Sequence, residues 1–229
     1  MKRSEVDEII TDGLIFTESL GFHLPSFARW SPTDFAERVE AIGDIIDNML
    51  GWDVTDFGEG DFPSVGSLIF TLRNGSITNS KYPKPYAEKI LMQREGQVLP
   101  WHFHYTKRED IINRGGGVLA IELSNSSPSY DLLETPVDIV VDGESRTVPS
   151  KESIKLAPGE SVSIPPGMYH RFWAEKGHGP VLAGEVSSVN DDTIDNHFLG
   201  NQTRIPEIEE DVPAKFMLFA DYGRLSDST

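Results

Sequence analysis

The sequence predicts a mainly β protein, a closed barrel or double-sheet jelly roll with a helical extension at its N-terminal end. From about Ser67 onward, short runs of β-branched, aromatic and alternating residues recur roughly every ten positions, separated by Gly, Pro, Asn and Asp. Asp142-Gly143 stands between two of these runs and reads as a two-residue hairpin turn. No helical stretch of βαβ length interrupts the strands, so the sheets are expected to be antiparallel and to close on themselves or on each other.

In chain order, residues 1 to about 60 read as helical. Val6, Ile9 and Ile10 suggest a first helix of weak periodicity, and Gly13 and Gly21 bracket a less regular stretch. Ser31-Pro32 is an N-cap and N1 pair with Asp34 in the first turn, where the helix dipole favours negative charge. Phe35, Val39, Ile42, Ile46 and Met49 then form one apolar stripe on a helix ending near Gly51. The predicted strands are 67–72, 87–94, 98–104, 117–124, 136–141, 144–149, 161–164, 168–175 and 181–186. In the mixed tail after Asn201, Lys215 to Phe219 reads as a final helix or strand. The organisation expected is one globular unit, with residues 1–66 packed as a helical extension on a barrel of residues 67–229.

A chain of 229 residues with 38% hydrophobic and 25% charged residues lies within the ordinary globular range. Its 37 acidic against 20 basic residues give a formal charge of −17, which phosphate backbones and anionic membrane surfaces would repel. Neither nucleic acid nor a membrane is an expected partner, and the acidic run Glu207 to Asp211 reads as solvated surface. No stretch approaches the ~18 apolar residues of a membrane span. The acidic Ser4 to Glu8 stands where a signal peptide would need an apolar core, so a cytoplasmic location is the default. Because there is no cysteine, thiolate catalysis and zinc–thiolate sites are excluded, and any bound metal must take nitrogen and oxygen ligands.

His102 and His104 are two apart in a predicted strand, so both imidazoles face one side. Glu109 has the opposite parity and can join them only if the strand bends or bulges around Tyr105 to Arg108. His170 follows Pro165-Pro166-Gly167, a rigid turn suited to launching a strand beside the first pair. Three imidazoles and one carboxylate suit Mn, Fe, Co, Ni or Zn and suit Ca or Mg poorly. A lone histidine in a β protein is more often hydrogen-bonded than ligating, and His23, His178 and His197 are taken so.

These spacings resemble the cupin superfamily. Gly96, His102, His104, Glu109 and Gly116 match every fixed position of its first motif, and Gly159, Pro165, Gly167 and His170 match its second, where Ala174 replaces a final Asn that is not a ligand. The long connection between Gly116 and Gly159 would hold the Asp142-Gly143 hairpin. Segments Glu88 to Gln97, Trp101 to Asp110, Pro165 to Trp173 and Gly184 to Asp192, with the helical extension, further resemble the D-lyxose isomerase family of sugar-isomerising cupins. The resemblance implies a cupin-type jelly-roll barrel and a divalent metal, Mn2+ first and Co2+, Fe2+, Ni2+ or Zn2+ as alternatives, held by His102, His104, Glu109 and His170. It also implies a homodimer and a small sugar substrate, with D-lyxose and D-xylulose interconverted and D-mannose and D-fructose as a secondary pair.

Aldose–ketose isomerisation needs a carboxylate near the substrate that is not a ligand, to move a proton between C1 and C2. Glu185, on a late strand just after the one bearing His170, is the candidate, and Lys89 on a neighbouring strand is a candidate to bind or polarise a sugar oxygen. Trp101, Phe103, Phe172 and Trp173 flank ligand positions and would wall a sugar face or fill the barrel core or a dimer interface. Asp191 and Asp192 have no role that spacing assigns. Two other readings fit a metallocupin: an Fe or Mn dioxygenase or oxalate-cleaving enzyme, and a non-catalytic sugar-binding module.

Overall fold

The computed structural model describes residues 1–228. The N-terminal segment holds α1 (Arg3–Ser19), a 3-10 turn (Ser26–Arg29), α2 (Pro32–Arg38) and α3 (Gly43–Asp47). Ser31 and Asp34 cap α2 reciprocally: the Asp34 carboxylate accepts from the Ser31 N–H at 3.0 Å and the Ser31 hydroxyl accepts from the Asp34 N–H at 3.2 Å. The single helix expected from Ser31 to about Gly51 is instead broken at Val39 to Ile42, and a second short helix opens on Gly43. Its apolar stripe survives the break. Phe35 and Ile42 are buried against Met217, Tyr222 and Leu225 of the C-terminal segment, with Val39 and Ile46 beside them.

The strands are β1 (Gly51–Thr55), β2 (Ser67–Arg73), β3 (Tyr86–Gln93), β4 (Val98–His104), β5 (Glu109–Gly116), β6 (Leu119–Ser124), β7 (Val137–Val141), β8 (Glu144–Val148), β9 (Ser153–Leu156), β10 (Ser161–Ile164), β11 (Tyr169–Ala174), β12 (Val181–Ser188) and β13 (Asn196–Phe198). They form an eight-stranded sheet, ordered β1-β2-β3-β12-β5-β10-β7-β8, and a five-stranded sheet, ordered β13-β4-β11-β6-β9. Every strand pairing is antiparallel. The jelly roll expected from the strand pattern is what forms. At the β7–β8 hairpin, Asp142 (φ 49°) and Gly143 (φ 83°) both adopt the left-handed conformation a type I′ turn requires.

Four strands depart from the sequence reading. β1 lies in the stretch read as helical; it is buried on both faces and pairs with β2 from Gly51↔Thr71 to Thr55↔Ser67. β5 was not expected, because two of its three barrel-facing side chains, Glu109 and Asn113, are polar and hide the alternation around Ile111. The short β9 and β13 carry too few apolar residues to register. The C-terminal segment after Lys215 is neither a regular α-helix nor a strand: Leu218 bridges to Trp52 and a 3-10 stretch, Phe219–Ser228, follows.

Strand alternation divides the apolar side chains into two cores. Ile69, Leu91, Ile111, Ile121, Val162, Phe172 and Ala183 fill the space between the sheets. Leu68, Phe70, Ile90, Met92 and Leu182, of opposite parity, face Val6, Ile9 and Ile10 of α1 on the outside of the larger sheet. Arg3 at the start of α1 is fully buried, paired with Glu210 at 2.7 Å and Asp221 at 3.0 Å, so part of the acidic run expected to be solvated anchors the helix instead. Among the described residues, no helix is long and apolar enough to cross a membrane.

Candidate active site inside the barrel

Alternation along the barrel-facing rows brings ionisable side chains into one end of the core. His170 on β11 pairs with His102 on β4, as the turn at Pro165 to Gly167 predicts. The register slips by one residue between His170 and Phe172, opposite the Pro100-Trp101 step of β4. That irregularity lets Leu99 face the core while His102 and His104 also face inward. The bend that the parity of Glu109 requires falls where expected: Tyr105 to Arg108 is a crossover turn from the five-stranded to the eight-stranded sheet. Glu109 enters from the other sheet, as the first residue of β5.

His102, His104 and His170 are all buried, with one ring nitrogen of each within 4.8 Å of the others. Each Nδ1 lies against a backbone carbonyl: Pro100 at 2.9 Å, Asp195 at 3.1 Å and Met168 at 3.1 Å, respectively. A carbonyl only accepts, so each Nδ1 carries the proton and each Nε2 presents a lone pair. Burial, reinforced by the neighbouring imidazoles for His102 and by Lys107 for His104, lowers both pKa values and keeps these rings neutral. Glu109 Oε1 is 3.0 Å from His170 Nε2 and 3.5 Å from His104 Nε2, and it is buried without a hydrogen-bond donor. Three inward lone pairs facing an undonated carboxylate oxygen repel one another unless a cation lies among them. This donor set fits a divalent transition metal.

Lys107 is a buried cation at this cluster that sequence reasoning missed. Its Nζ is 2.9 Å from Glu109 Oε2 and 2.7 Å from Glu185 Oε1, and all three side chains are buried. Burial alone would raise the Glu109 carboxyl, but the Lys107 ammonium beside it holds it well below the usual carboxylate range. Glu185 is likewise lowered, against its burial, by Lys107 and then Lys89. On β12 it lies directly across from Lys89 on β3, and the Ser187 hydroxyl donates to its Oε1 at 3.0 Å.

Lys89 is buried, contrary to the solvent-exposed alternative for a strand lysine, and donates to Asp192 at 2.8 Å. Asp192 also receives Arg204 at 2.9 Å, and Arg204 reaches Asp53 at 2.6 Å. Burial opposes ionisation of Asp192, yet Lys89, Arg204 and Lys107 hold it well below the ordinary value. A small cavity of about 30 Å3 opens among these groups, lined by His102, His104, Lys107, Glu185, Lys89, Asp192, Asn196 and Arg204 with Phe57 and Phe198. The aromatic residues picked from the sequence do not line it. Phe172 is in the barrel core, Phe103 packs outside against Tyr130, Tyr169 and His197, and Trp101 and Trp173 flank the Arg171 guanidinium. His23 and His178 are exposed, and His197 accepts or donates to Tyr105 at 3.1 Å outside the cavity.

A jelly roll with three inward imidazoles and a carboxylate defines a cupin-type protein. Residues 1–222 match the family model described as D-lyxose isomerase. The D-lyxose/D-mannose isomerase of Escherichia coli O157:H7 is 47% identical over 223 residues, 97% of this chain and 98% of that protein. The D-lyxose/D-mannose isomerase of Serratia proteamaculans is 47% identical over 98% of this chain and 99% of its own. The chain belongs to the D-lyxose isomerase family, which sets it among the sugar ketol-isomerases. In fold it is similar to the Cellulomonas parahominis L-ribose isomerase solved with L-ribose, at a TM-score of 0.57 and 15% identity over 91% of this chain and 98% of that one.

Proposed function

We propose that the protein is a metal-dependent aldose–ketose isomerase interconverting D-lyxose and D-xylulose, with D-mannose and D-fructose as a secondary pair. The observation that carries the reading is a buried carboxylate, Glu185, held ionised by Lys107 in the same cavity as His102 and His104. His102, His104, His170 and Glu109 would hold the metal, Mn2+ first among the transition ions. Once bound, such an ion supplies Lewis acidity toward the sugar oxygens at C1 and C2.

The chain's own residues do the rest. Glu185 accepts the proton from C2 of the aldose, giving an enediol, and returns it to C1, while the hydroxyl proton of O2 passes to O1. Lys107 fixes the Glu185 carboxylate through Oε1, which leaves Oε2 for the proton. Lys89, Asp192 and Arg204 present donors and acceptors at the other side of the cavity, where the remaining hydroxyls of a sugar would bind. Phe57 and Phe198 give it an apolar wall. The two aldoses share configuration at C2, C3 and C4, so a site reading those positions separates them only by the extra hydroxymethyl group.

The relatives favour isomerisation over the dioxygenase and sugar-binding alternatives. The test is an aldose panel assayed for ketose with chelator-treated protein, resupplied with Mn2+, Co2+, Ni2+, Zn2+, Fe2+ or Mg2+ one at a time. Ketose from D-lyxose that depends on a transition ion is the expected result. No ketose from any pentose or hexose under replete Mn2+ would retire the isomerase reading, and O2 consumption or CO2 release would replace it.

A further inference from the structure

We infer that Asp195 is a positioning residue that shapes the turn between His104 and Glu109 and thereby delivers the Lys107 ammonium between Glu109 and Glu185. The kinetic part of this inference rests on the isomerase reading; the geometric part does not. β4 ends at His104 in one sheet and β5 begins at Glu109 in the other, so only Tyr105 to Arg108 make the crossing. Amides in such a crossing leave both ladders and need other acceptors. Asp195 supplies them. Its Oδ1 accepts the Thr106 N–H at 2.9 Å and the Thr106 hydroxyl at 3.0 Å, and its Oδ2 accepts the Lys107 N–H at 3.0 Å. Its backbone carbonyl takes the Nδ1 proton of His104 at 3.1 Å.

Asp195 is itself well held. Its N–H donates to the Asp191 carbonyl at 3.0 Å, and β13 starts at the next residue with Asn196 opposite His104. The side chain is buried beside the turn it organises. Lys107 cannot tolerate a shifted backbone in the way a surface lysine can: its Nζ meets two carboxylates at 2.7 and 2.9 Å, with 1% of the side chain exposed. A turn loosened by a fraction of an ångström would therefore misplace the ammonium, and with it the Glu185 carboxylate.

Asp195→Asn tests this with nearly unchanged shape. Whichever way the amide faces, its NH2 replaces an acceptor for either Thr106 N–H or Lys107 N–H, so one buried donor loses its partner. With saturating Mn2+, kcat should fall about 10- to 100-fold, the scale of lost outer-shell support, while KM stays close to wild type and the melting temperature drops by about 2–12 °C, the scale of one unpaired buried donor. On a Lys107→Met background, adding Asp195→Asn should lower kcat by less than about twofold, since residues acting as one unit are not additive. In metal-free protein, amide hydrogen exchange across residues 104–108 should quicken while exchange in β12 is unchanged. Asp195→Ala, the larger lesion, should repeat the pattern. Multiplicative losses in the double variant, a loss confined to melting temperature, or unaltered exchange at residues 104–108 would each overturn the inference. A wild type without isomerase activity would instead refute the functional reading and leave the exchange result to decide the geometry.

Discussion

Lys107→Met is the substitution whose cost follows most directly from the structure. Met matches the length of the lysine stem, so packing is nearly kept and the ammonium alone is lost. Glu109 and Glu185 then face each other in the barrel without the cation that lies 2.9 and 2.7 Å from them. Removing one member of a buried pair costs about 3–5 kcal/mol, and protonation of either carboxylate keeps the loss from doubling. For a chain of this length, about 2–4 °C of melting temperature corresponds to 1 kcal/mol, so metal-free protein should melt ~6–20 °C lower. Adding Mn2+ should recover part of the loss, because a divalent cation beside Glu109 Oε1 takes over charge balance that Lys107 provided. The assay is thermal unfolding by circular dichroism in chelator and in Mn2+, with Lys155→Met, an exposed partner of Glu175, as control. A Lys107→Met melt indistinguishable from the Lys155→Met melt would refute the claim that Lys107 holds the two carboxylates together.

Glu185→Gln should leave metal content and sugar binding nearly unchanged while turnover falls by roughly 10²-fold or more, the scale of a lost general base; retained turnover would move the proton transfer to another group. His170→Ala should greatly weaken Mn2+ binding measured by chelator competition, and an unchanged affinity would remove His170 from the ligand set. Asp192 bears on acid stability, because its folded pKa lies well below the usual value despite burial, through Lys89, Arg204 and Lys107. A depressed carboxylate stabilises the fold above its unfolded pKa of about 3.9 and loses that contribution as pH falls through the lower folded value. Wild type should therefore lose more denaturant stability than Asp192→Asn between about pH 5 and pH 3, with equal losses contradicting the ionised, paired state.

The strands that were legible in the sequence are those whose buried face is apolar. Ile69 and Leu91 inside the barrel alternate with Phe70 and Ile90 under α1, so β2 and β3 read clearly as β. β5 did not, because its inward row is Glu109, Ile111 and Asn113, and polar groups face the core only where the tertiary structure supplies partners. Asn113 finds them in the Gly117 and Leu156 carbonyls, both at 2.9 Å, and neither is visible from local sequence. β1 failed for a related reason: Trp52 and Val54 face the helix side, whereas Asp53 faces Arg204 from a segment about 150 residues away.

The site was legible as spacing and illegible as charge balance. His102, His104, Glu109 and His170 could be picked because the motif positions recur at fixed intervals, and the bend that parity demanded before Glu109 is the change of sheet at Tyr105 to Arg108. Lys107 and Asp195 lie in or against that same crossover, and their roles exist only once Tyr105 to Arg108 has turned. The consequence reaches beyond placement. Glu109, Lys107, Glu185, Lys89, Asp192, Arg204 and Asp53 form a buried sequence of alternating sign, in which every carboxylate has a cation beside it on the strand or turn next to its own. Such alternation holds Glu109, Glu185 and Asp192 ionised against their burial, whereas at Asp53 burial outweighs the neighbouring Arg204 and raises the carboxyl. In the reaction proposed above, Glu185 would thus be ready to accept a proton without depending on a metal to keep it charged, and Glu109 keeps Oε1 free of any protein donor. The same order explains why an acidic chain needs buried lysines here: without them, burial would favour protonated carboxyls, which are poor ligands and poor bases.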